Sequence, residues 1–355
     1  MGLPTETLPN LALARPGLDR HAERRSEPDL LDRLLADSST RVLEVHGDKV
    51  PVVLGERGEG EPGEPGQPGE PGPGELPVRR EQREPVNDRS AAGRAPALAL
   101  RAPVAADAEG LVLFLGQDGA GTAYLAVARP AQGQEDTTPD GRAQEGLAQG
   151  LLGLRQVGAD LSDRDATIFA TALALANWHA THGHCPRCGA PTQPTQAGWL
   201  RRCGRDGSEH YPRTDVAVIM SVVDDQDRLL LARGAGWGAG RFSVLAGFLE
   251  PGESLTAAVA REVHEEVGLQ VRDIEYLGDQ PWPFPNSLMV GFTARAQGSD
   301  LRLQESEIAE ARWVTRAEYR ETLAGGQVSP STRLSISRRL IEHWLGHDLS
   351  DVAPD

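Results

Sequence analysis

The stretch Gly247–Leu269, GFLEPGESLTAAVAREVHEEVGL, determines how we interpret the C-terminal half of this chain. Ser254 is a typical N-cap and Gly268 a typical C-terminal stop, so the spacing predicts a helix that ends at about Val267. Apolar side chains recur at every fourth position and form the expected buried stripe, at Leu255, Val259, Val263 and Val267.

Three glutamates share another face of the same helix, at Glu262, Glu265 and Glu266. Like charges at these spacings repel, so stability does not explain their placement. A hard divalent cation resolves the repulsion, because Mg²⁺ prefers carboxylate oxygens and substrate phosphates. We expect Arg261 to pair with Glu253 and to tie the preceding loop to the helix. The alternative is that these acidic side chains are simply solvated.

Composition restricts the remaining possibilities. The 355 residues include 36 basic and 52 acidic side chains, a net charge of −16, which argues against an extended basic surface for non-specific nucleic-acid binding. No apolar run reaches the roughly 18 residues of a membrane span, and the first 30 residues lack the apolar core of a signal peptide. We therefore expect a cytoplasmic protein.

The N-terminal half reads as β-rich, with strands at residues 41–45, 50–54 and 110–128 and helical residues from 141 to 180. It contains GEPGEPGQPGEPG at residues 60–72, with Gly at every third position. Four triplets are too few for an independent triple helix, so we expect a disordered insertion at about 55–86. From Val216 onward, strong apolar runs and turns predict a mixed sheet with helices on its faces.

Residues 280–287, QPWPFPNS, begin eleven positions after Leu269, the last residue of the stretch quoted above. Three prolines that alternate with Trp282 and Phe284 are incompatible with a central strand, so a stiff loop presenting aromatic faces is expected. Such a loop suits stacking on a planar ring. The alternative is a hydrophobic loop packed on the core.

The helix and its preceding loop match the pattern G-x5-E-x7-R-E-U-x-E-E-x-G-U, where U is apolar, at every fixed position. This is the Nudix box, and the chain resembles the Nudix hydrolase superfamily. The 280–287 segment resembles the SQPWPFPxS signature of the NADH pyrophosphatase branch, which also cleaves the NAD cap from RNA, with Asp279 in place of the leading Ser. The resemblance covers roughly residues 165–345.

The resemblance implies an α+β fold: a Nudix α/β/α sandwich with a mixed sheet, preceded by a zinc-ribbon-like segment and a β-rich N-terminal domain. The expected boundaries are residues 1–164, 165–214 and 215–350. It also implies metal-dependent hydrolysis of the diphosphate of NAD(H) to NMN(H) and AMP, and removal of NAD caps from RNA. Two alternatives remain: another nucleoside diphosphate such as ADP-ribose as substrate, or a non-catalytic dinucleotide- or RNA-binding protein.

By the same resemblance, Mg²⁺ or Mn²⁺ is held by the carbonyl of Ala246 and by the catalytic glutamates Glu262, Glu265, Glu266 and Glu307. Glu266 is the first choice as general base, and a glutamate outside the box is the second. Expected substrate contacts are Tyr211, Phe248, Gln280, Pro281, Trp282, Pro283, Phe284, Pro285, Asn286, Ser287 and Ser337. Phe248 matches an aromatic that stacks on nicotinamide, and Tyr211 one offered to the partner subunit of a homodimer. Gly198 lies where some members carry an acidic contact.

Three cysteines form the pattern C-x2-C-x14-C, at Cys185, Cys188 and Cys203. The family's zinc ribbon uses four cysteines, and the fourth position falls here on Asp206, whose oxygen is a permissible zinc ligand. His210 is an alternative fourth ligand, and His184 a weaker one. A ribbon without metal, held by packing around Trp199, is the competing interpretation.

Overall fold

The computed structural model describes residues 7–9, 11–54, 95–129 and 148–349. The repeat at 60–72 and the expected insertion at about 55–86 lie outside the described residues. Three sheets are present in this part of the chain, two of six strands and one of three. None of the described helices is both long and apolar enough to span a membrane.

The first sheet lies in the N-terminal part, after helix α1 (Leu30–Ala36). Its strands are β1 (Arg41–His46), β2 (Lys49–Leu54), β3 (Ala97–Leu98), β4 (Leu111–Gln117), β5 (Ala123–Arg129) and β6 (Ala148–Gly153). Their order is β3-β2-β1-β5-β4, and β6 also pairs with β2. Strands β1 and β5 are parallel, while the other pairs are antiparallel.

The helix expected from 141 to 180 is wrong for residues 148–153, and residues 141–147 lie outside the described part of the chain. Residues 148–153 form β6, which pairs along all of β2 from Lys49 to Leu54. Gly150 and Gly153 weaken a helix here, and an available strand edge supplies the hydrogen bonds that the backbone needs. Helices then follow as α2 (Leu154–Val157) and α3 (Asp163–Thr181).

Helix α3 joins the first sheet to the rest of the molecule. Ser162 caps it by accepting a hydrogen bond from the backbone of Asp165, and Ile168 and Phe169 are fully buried against the first sheet. The three-stranded ribbon follows, with antiparallel strands β7 (Thr192–Thr195), β8 (Leu200–Cys203) and β9 (Glu209–His210).

The second six-stranded sheet is mixed, as expected. Its elements are β10 (Asp215–Val223), β11 (Leu229–Gly234), β12 (Leu245–Phe248), α4 (Leu255–Val267), β13 (Gln270–Trp282), β14 (Ser287–Gln297), β15 (Ile308–Val314), α5 (Arg316–Ala324) and α6 (Ile336–Leu345). The order is β13-β14-β10-β11-β15, with β12 paired to β10. Only β10 and β14 are parallel, over nine residue pairs.

Alternation along β10 places this sheet between two helical layers. Val218 and Met220 pack with α4, whereas Ile219 on the other face packs with α6. Side chains of a strand point alternately to its two faces, so an apolar run such as 216–223 is suited to burial on both sides. The α/β/α sandwich expected from the sequence is confirmed.

Candidate active site

Helix α4 has the ends that its sequence predicts. The Ser254 hydroxyl accepts a hydrogen bond from the backbone N–H of Ala257 at 3.2 Å. At the other end, Gly268 adopts a left-handed conformation with φ 73° and stops the helix. The helix therefore presents its glutamates in the register that the sequence requires.

The three glutamates of α4 differ in their surroundings. Glu262 and Glu266 are buried, with 9% and 7% of their surface exposed, whereas half of the Glu265 side chain is exposed. Arg261 donates through Nη1 to Glu262 Oε1 at 2.8 Å and to Glu265 Oε2 at 3.0 Å. It also forms a two-pronged pair with Glu253, at 2.9 Å for each contact, which confirms that prediction.

Among the residues that the structure describes, none supplies a counter-charge to Glu266. Its Oε2 atom is buried and has no hydrogen-bond partner. The pKa of this carboxyl is raised to about 8, mainly by burial, and the negative charges of Glu262, Glu307 and Glu265 contribute to the rise in that order of size. A buried carboxylate without a donor is unfavourable, so its environment suits a cation.

Gly247 makes room for the neighbouring carboxylate. A Cβ atom at this position would lie 1.8 Å from Cδ of Glu262, which is far inside van der Waals contact. Any larger residue would displace the carboxylate. The glycine that opens the sequence pattern is therefore needed for space at the site rather than for a turn.

Among the described residues, no group of three or more carboxylates brings its ligand atoms within 4.8 Å of one another. Arg261 holds Glu262 and Glu265 on the side of Glu253, while Glu266 and Glu307 face a cavity of about 800 Å³ together with Ala246. The donor set, carboxylate oxygens beside a backbone carbonyl, fits a hard divalent cation.

The same cavity extends from the carboxylates to aromatic and hydroxyl-bearing walls. Trp282 and Trp237 line it, and so does Ser337. Ser337 is buried, and its hydroxyl lies 2.7 Å from the hydroxyl of Ser243 and 3.1 Å from that of Ser331. The cavity therefore combines an acidic end with surfaces suited to a nucleoside.

Residues 280–287 do not form one continuous loop. Gln280 to Trp282 complete β13, Ser287 begins β14, and the intervening turn contains a cis bond between Phe284 and Pro285. Strand β13 lies at the edge of the sheet, where the missing N–H of Pro281 is tolerated.

The two faces of this segment meet different surroundings. Trp282 faces the large cavity, whereas a second cleft of about 280 Å³ is lined by Pro281, Pro283, Asn286 and Ser287. Gln280 is buried and donates to the carbonyl of Leu334 at 2.7 Å. Trp282 and Phe284 also pack partly on the N-terminal core. Both interpretations, an aromatic wall and a packed segment, describe part of the observed arrangement.

Two exposed aromatic side chains lie outside the large cavity. Phe248, at the end of β12, is 60% exposed, and Tyr211, after the ribbon, is 63% exposed. The Tyr211 hydroxyl donates to Glu209 at 3.0 Å. Their proposed contacts with substrate stay predictions.

Sequence reasoning missed two arginines of the cavity wall, Arg155 and Arg241. Arg155 belongs to α2, about 100 positions before the carboxylate helix in sequence. Its guanidinium carbon lies 3.9 Å from the ring centre of Phe284 and 5.0 Å from that of Trp282. No local pattern marks such a residue, because its position depends on how α2 docks.

The ribbon brings four potential metal ligands together. The ligand atoms of Cys185, Cys188, Cys203 and Asp206 all lie within 4.8 Å of one another. The sulfur atoms of Cys188 and Cys203 are 3.5 Å apart, near the roughly 3.8 Å edge of a tetrahedral zinc site with thiolate ligands. His210 is not in this group, and its Nε2 lies 3.1 Å from the hydroxyl of Ser208.

Gly198 cannot carry the acidic side chain considered at this position. A Cβ there would lie 2.4 Å from a methyl carbon of Leu113 in the first sheet, and its φ of 89° is left-handed. The ribbon packs directly on β4 at this point. The acidic contact is therefore replaced by close packing.

Comparison with known families agrees with this geometry. The NUDIX domain model matches residues 212–333, and the NADH pyrophosphatase zinc ribbon model matches residues 180–211. A third model, the NADH pyrophosphatase-like rudimentary NUDIX domain, matches residues 77–178. The chain thus belongs to the Nudix superfamily. Its three consecutive domains are those of the NADH pyrophosphatase family, so a divalent metal and a zinc ion are both implied.

Similar proteins carry related names. The chain is 46% identical over 200 residues to a protein named NAD-capped RNA hydrolase NudC from Mycobacterium bovis, covering 54% of this chain and 64% of that protein. It is 37% identical over 199 residues to the human NAD-capped RNA hydrolase NUDT12, covering 52% and 43%. The chain therefore spans less than two thirds of the length of these relatives.

Solved structures show weaker similarity. A NUDIX hydrolase from Nitrosomonas europaea aligns with 46% of this chain and 94% of its own, at 19% identity and a TM-score of 0.36. The family assignment rests on the sequence matches and on the geometry of the site.

Proposed function

We propose that this protein hydrolyses the diphosphate of NAD(H), giving NMN(H) and AMP, and that it removes NAD caps from RNA. One observation carries the proposal: a single cavity joins the buried, unpartnered carboxylate of Glu266 to the aromatic wall at Trp282. The names of the similar proteins agree with it.

The acidic end of the cavity is assigned to the diphosphate. Glu262, Glu265, Glu266, Glu307 and the carbonyl of Ala246 would hold Mg²⁺ or Mn²⁺, which supplies neutralisation of the diphosphate charge when bound. Arg261 positions Glu262 and Glu265 through its two short contacts. Glu266 is assigned as the general base, with Oε2 taking up the proton of the attacking water, because this oxygen has no other partner.

The aromatic end is assigned to the substrate's nucleosides. Trp282 offers a ring face inside the cavity, and Ser337 supplies a buried hydroxyl beside it. The remaining residues of the 280–287 segment hold this wall in place, and Gln280 anchors it through the carbonyl of Leu334. A planar, polar ligand of dinucleotide size suits such a site.

A homodimer is part of the proposal. Tyr211 and Phe248 are large, exposed and outside the cavity, as expected for side chains completed by a second copy of the chain. The boundaries 1–164, 165–214 and 215–350 are proposed as the domain limits, with a structural zinc held by Cys185, Cys188, Cys203 and Asp206 in the middle segment.

Product identification tests the proposal. Purified full-length protein with Mg²⁺ or Mn²⁺ is incubated with NADH, and with NAD-capped RNA, and the products are separated by mass. We expect NMNH and AMP from the first and a 5′-monophosphate RNA with NMN from the second. Parallel measurement of kcat/KM for ADP-ribose separates this activity from another Nudix specificity. Binding of NADH without release of NMNH would instead indicate a non-catalytic protein.

A further inference from the structure

Two arginines line the cavity from different parts of the chain. Arg155 belongs to α2 in the N-terminal part, and Arg241 lies on the loop between β11 and β12. Burial lowers the pKa of Arg155, and the charge of Arg241 lowers it further. Both side chains line the same cavity of about 800 Å³, so both positive charges act on one enclosed space.

Neither guanidinium has an acidic partner in the part of the chain that the structure describes. Arg155 lies over Phe284 and Trp282, and Arg241 lies 4.8 Å from the ring centre of Trp237. Aromatic faces position these cations without neutralising them. Two like charges are thus held at one cavity in a protein with a net charge of −16.

The backbone fixes where Arg241 begins. Gly240 has a φ of 82°, and a Cβ there would lie 2.9 Å from the carbonyl oxygen of Gln327. The carbonyl of Gly240 accepts a hydrogen bond from the N–H of Ser329 at 3.0 Å. The loop that carries Arg241 is therefore attached to the 329–337 wall of the cavity.

The scissile diphosphate does not account for these cations. The proposed function assigns that group to the carboxylate end, where a divalent metal balances its charge. Guanidinium groups bind phosphate oxygens strongly, through paired N–H donors. An unpaired pair of arginines in the same cavity is suited to a second, separate phosphate.

We propose that Arg155 and Arg241 together bind an additional phosphate attached to the adenosine ribose of the substrate. This inference rests on the proposed function and narrows it. Two substrates carry such a group: a dinucleotide with a ribose 2′-phosphate, such as NADPH, and NAD-capped RNA, whose first linkage is a 3′-phosphodiester.

Steady-state kinetics test the proposal on three substrates: NADH, NADPH and an NAD-capped dinucleotide with one 3′-phosphodiester. For Arg241→Gln we expect kcat/KM to fall about tenfold more for a substrate with the ribose phosphate than for NADH. Arg155→Gln should likewise lower kcat/KM more for a substrate with the ribose phosphate than for NADH. Arg241→Lys should lower it less than Arg241→Gln, because the positive charge is kept. Arg272→Gln is the matched control. Arg272 is an exposed arginine on β13 that pairs with Asp225, and its substitution should leave kcat/KM unchanged for all three substrates.

Comparison of the three substrates identifies which phosphate the two arginines bind. A selective loss with NADPH alone assigns the pair to a 2′-phosphate, and a selective loss with the capped dinucleotide alone assigns it to a 3′-phosphodiester. Losses with both show a shared subsite. Equal losses for all three substrates, or none, overturn the proposal.

Binding provides a second readout that does not need turnover. In a Glu266→Gln background, the Kd of NADPH and of NADH is measured by nucleotide fluorescence with and without Arg241→Gln. We expect the NADPH value to rise about tenfold more than the NADH value. If wild-type protein releases no NMNH from NADH, the proposed function fails. If the wild-type protein releases NMNH but Arg241→Gln raises the Kd of NADPH and of NADH equally, only the proposed phosphate subsite is wrong.

Discussion

Glu266 combines burial, like-charged neighbours and an unpartnered oxygen in one side chain. Stability alone does not explain this position, because burial of a carboxyl group without a hydrogen-bond partner is costly. Its presence near Gly247, which leaves space for the adjacent carboxylate of Glu262, is explained by chemistry at the site.

Substitution of this residue gives the most direct prediction. We expect Glu266→Gln to lower kcat on NADH by about 10²–10⁴-fold, because the general base is lost, while NADH still binds. The measurement is kcat together with Kd for NADH. Glu265→Gln is the matched control, because this side chain is half-exposed and already paired with Arg261. Its kcat should fall less than that of Glu266→Gln. Wild-type turnover in Glu266→Gln would remove Glu266 from the mechanism.

The sequence was informative for residues whose roles depend on local spacing. The carboxylates of α4 and the pair of Arg261 with Glu253 follow from helical geometry and were predictable. Arg155 and Arg241 were not, because each acquires its role only when two distant segments dock. Periodicity carries no information about such contacts.

At the scale of elements, the ribbon retains a four-ligand arrangement although one cysteine position is aspartate. The carboxylate of Asp206 accepts two hydrogen bonds from Ser208, one from the backbone N–H at 2.9 Å and one from the hydroxyl at 2.6 Å. These hydrogen bonds lower the pKa of Asp206 and keep the carboxylate ionised, and the bond from the Ser208 hydroxyl has the largest effect.

We expect Asp206→Ala to weaken zinc binding by at least about tenfold, since it removes a ligand, and Asp206→Cys to strengthen it. Metal content and competition with a chelator provide the measurement. His210→Ala is the control, and it should keep the metal. Loss of zinc in His210→Ala with retention in Asp206→Ala would reverse the assignment of the fourth ligand.

A buried histidine joins α3 to the ribbon. His179 lies 2.8 Å from the carbonyl of Gly198 through Nε2 and 2.7 Å from Nη1 of Arg201 through Nδ1. The hydrogen-bond network assigns the neutral form, with Nε2 donating and Nδ1 accepting. Burial lowers the pKa of His179 to about 4, and the charge of Arg201 contributes to this decrease.

The sign of the pH effect follows from that shift. The folded pKa lies below the unfolded value of 6.5, so the stabilisation is present above pH 6.5 and is lost as the pH falls towards 4. We expect the free energy of unfolding of the wild type minus that of His179→Gln to shrink by at most about 3 kcal/mol over this range.

Urea unfolding at several pH values measures this difference. The exposed His343→Gln changes the histidine content without touching the junction, and it serves as the control. The same pH dependence in both variants would contradict a specific role for His179.

Element types were largely predictable, and β6 shows where prediction stops. Capping residues and apolar periodicity gave the limits of α4 and the run of β10. Residues 148–153 have no strong periodicity of their own, and the edge of β2 decides their conformation. Pairing partners that are distant in sequence override weak local preference.

At the scale of the whole molecule, the proposed homodimer makes a distinct prediction. If Tyr211 acts in the partner's site, Tyr211→Ala impairs both sites of a dimer. Mixing Tyr211→Ala with Glu266→Gln subunits should then recover about a quarter of wild-type activity, because each mixed dimer regains one intact site. Activity of the re-equilibrated mixture, with molar mass in solution, is the measurement. No recovery above the two separate variants would place Tyr211 outside the partner's site.

The general architecture could be expected from the sequence, since strong apolar runs and the pattern around α4 specify the second sheet. The docking of the N-terminal part could not. Gly198 packs on Leu113, and Trp199 donates to the carbonyl of Phe114 at 2.7 Å. These contacts depend on complementary shape, which no local sequence pattern reports.

The amide of Asn177, on α3, donates to the carbonyls of Pro283 and Pro285, at 3.3 and 3.0 Å. The turn beside the aromatic wall is thus braced by a helix that precedes the NUDIX domain in the chain. A catalytic unit cut out at residue 212 would lose this brace while keeping every carboxylate. Substitutions along α3 are therefore expected to change which ligands the cavity accepts while leaving the carboxylates of α4 in place.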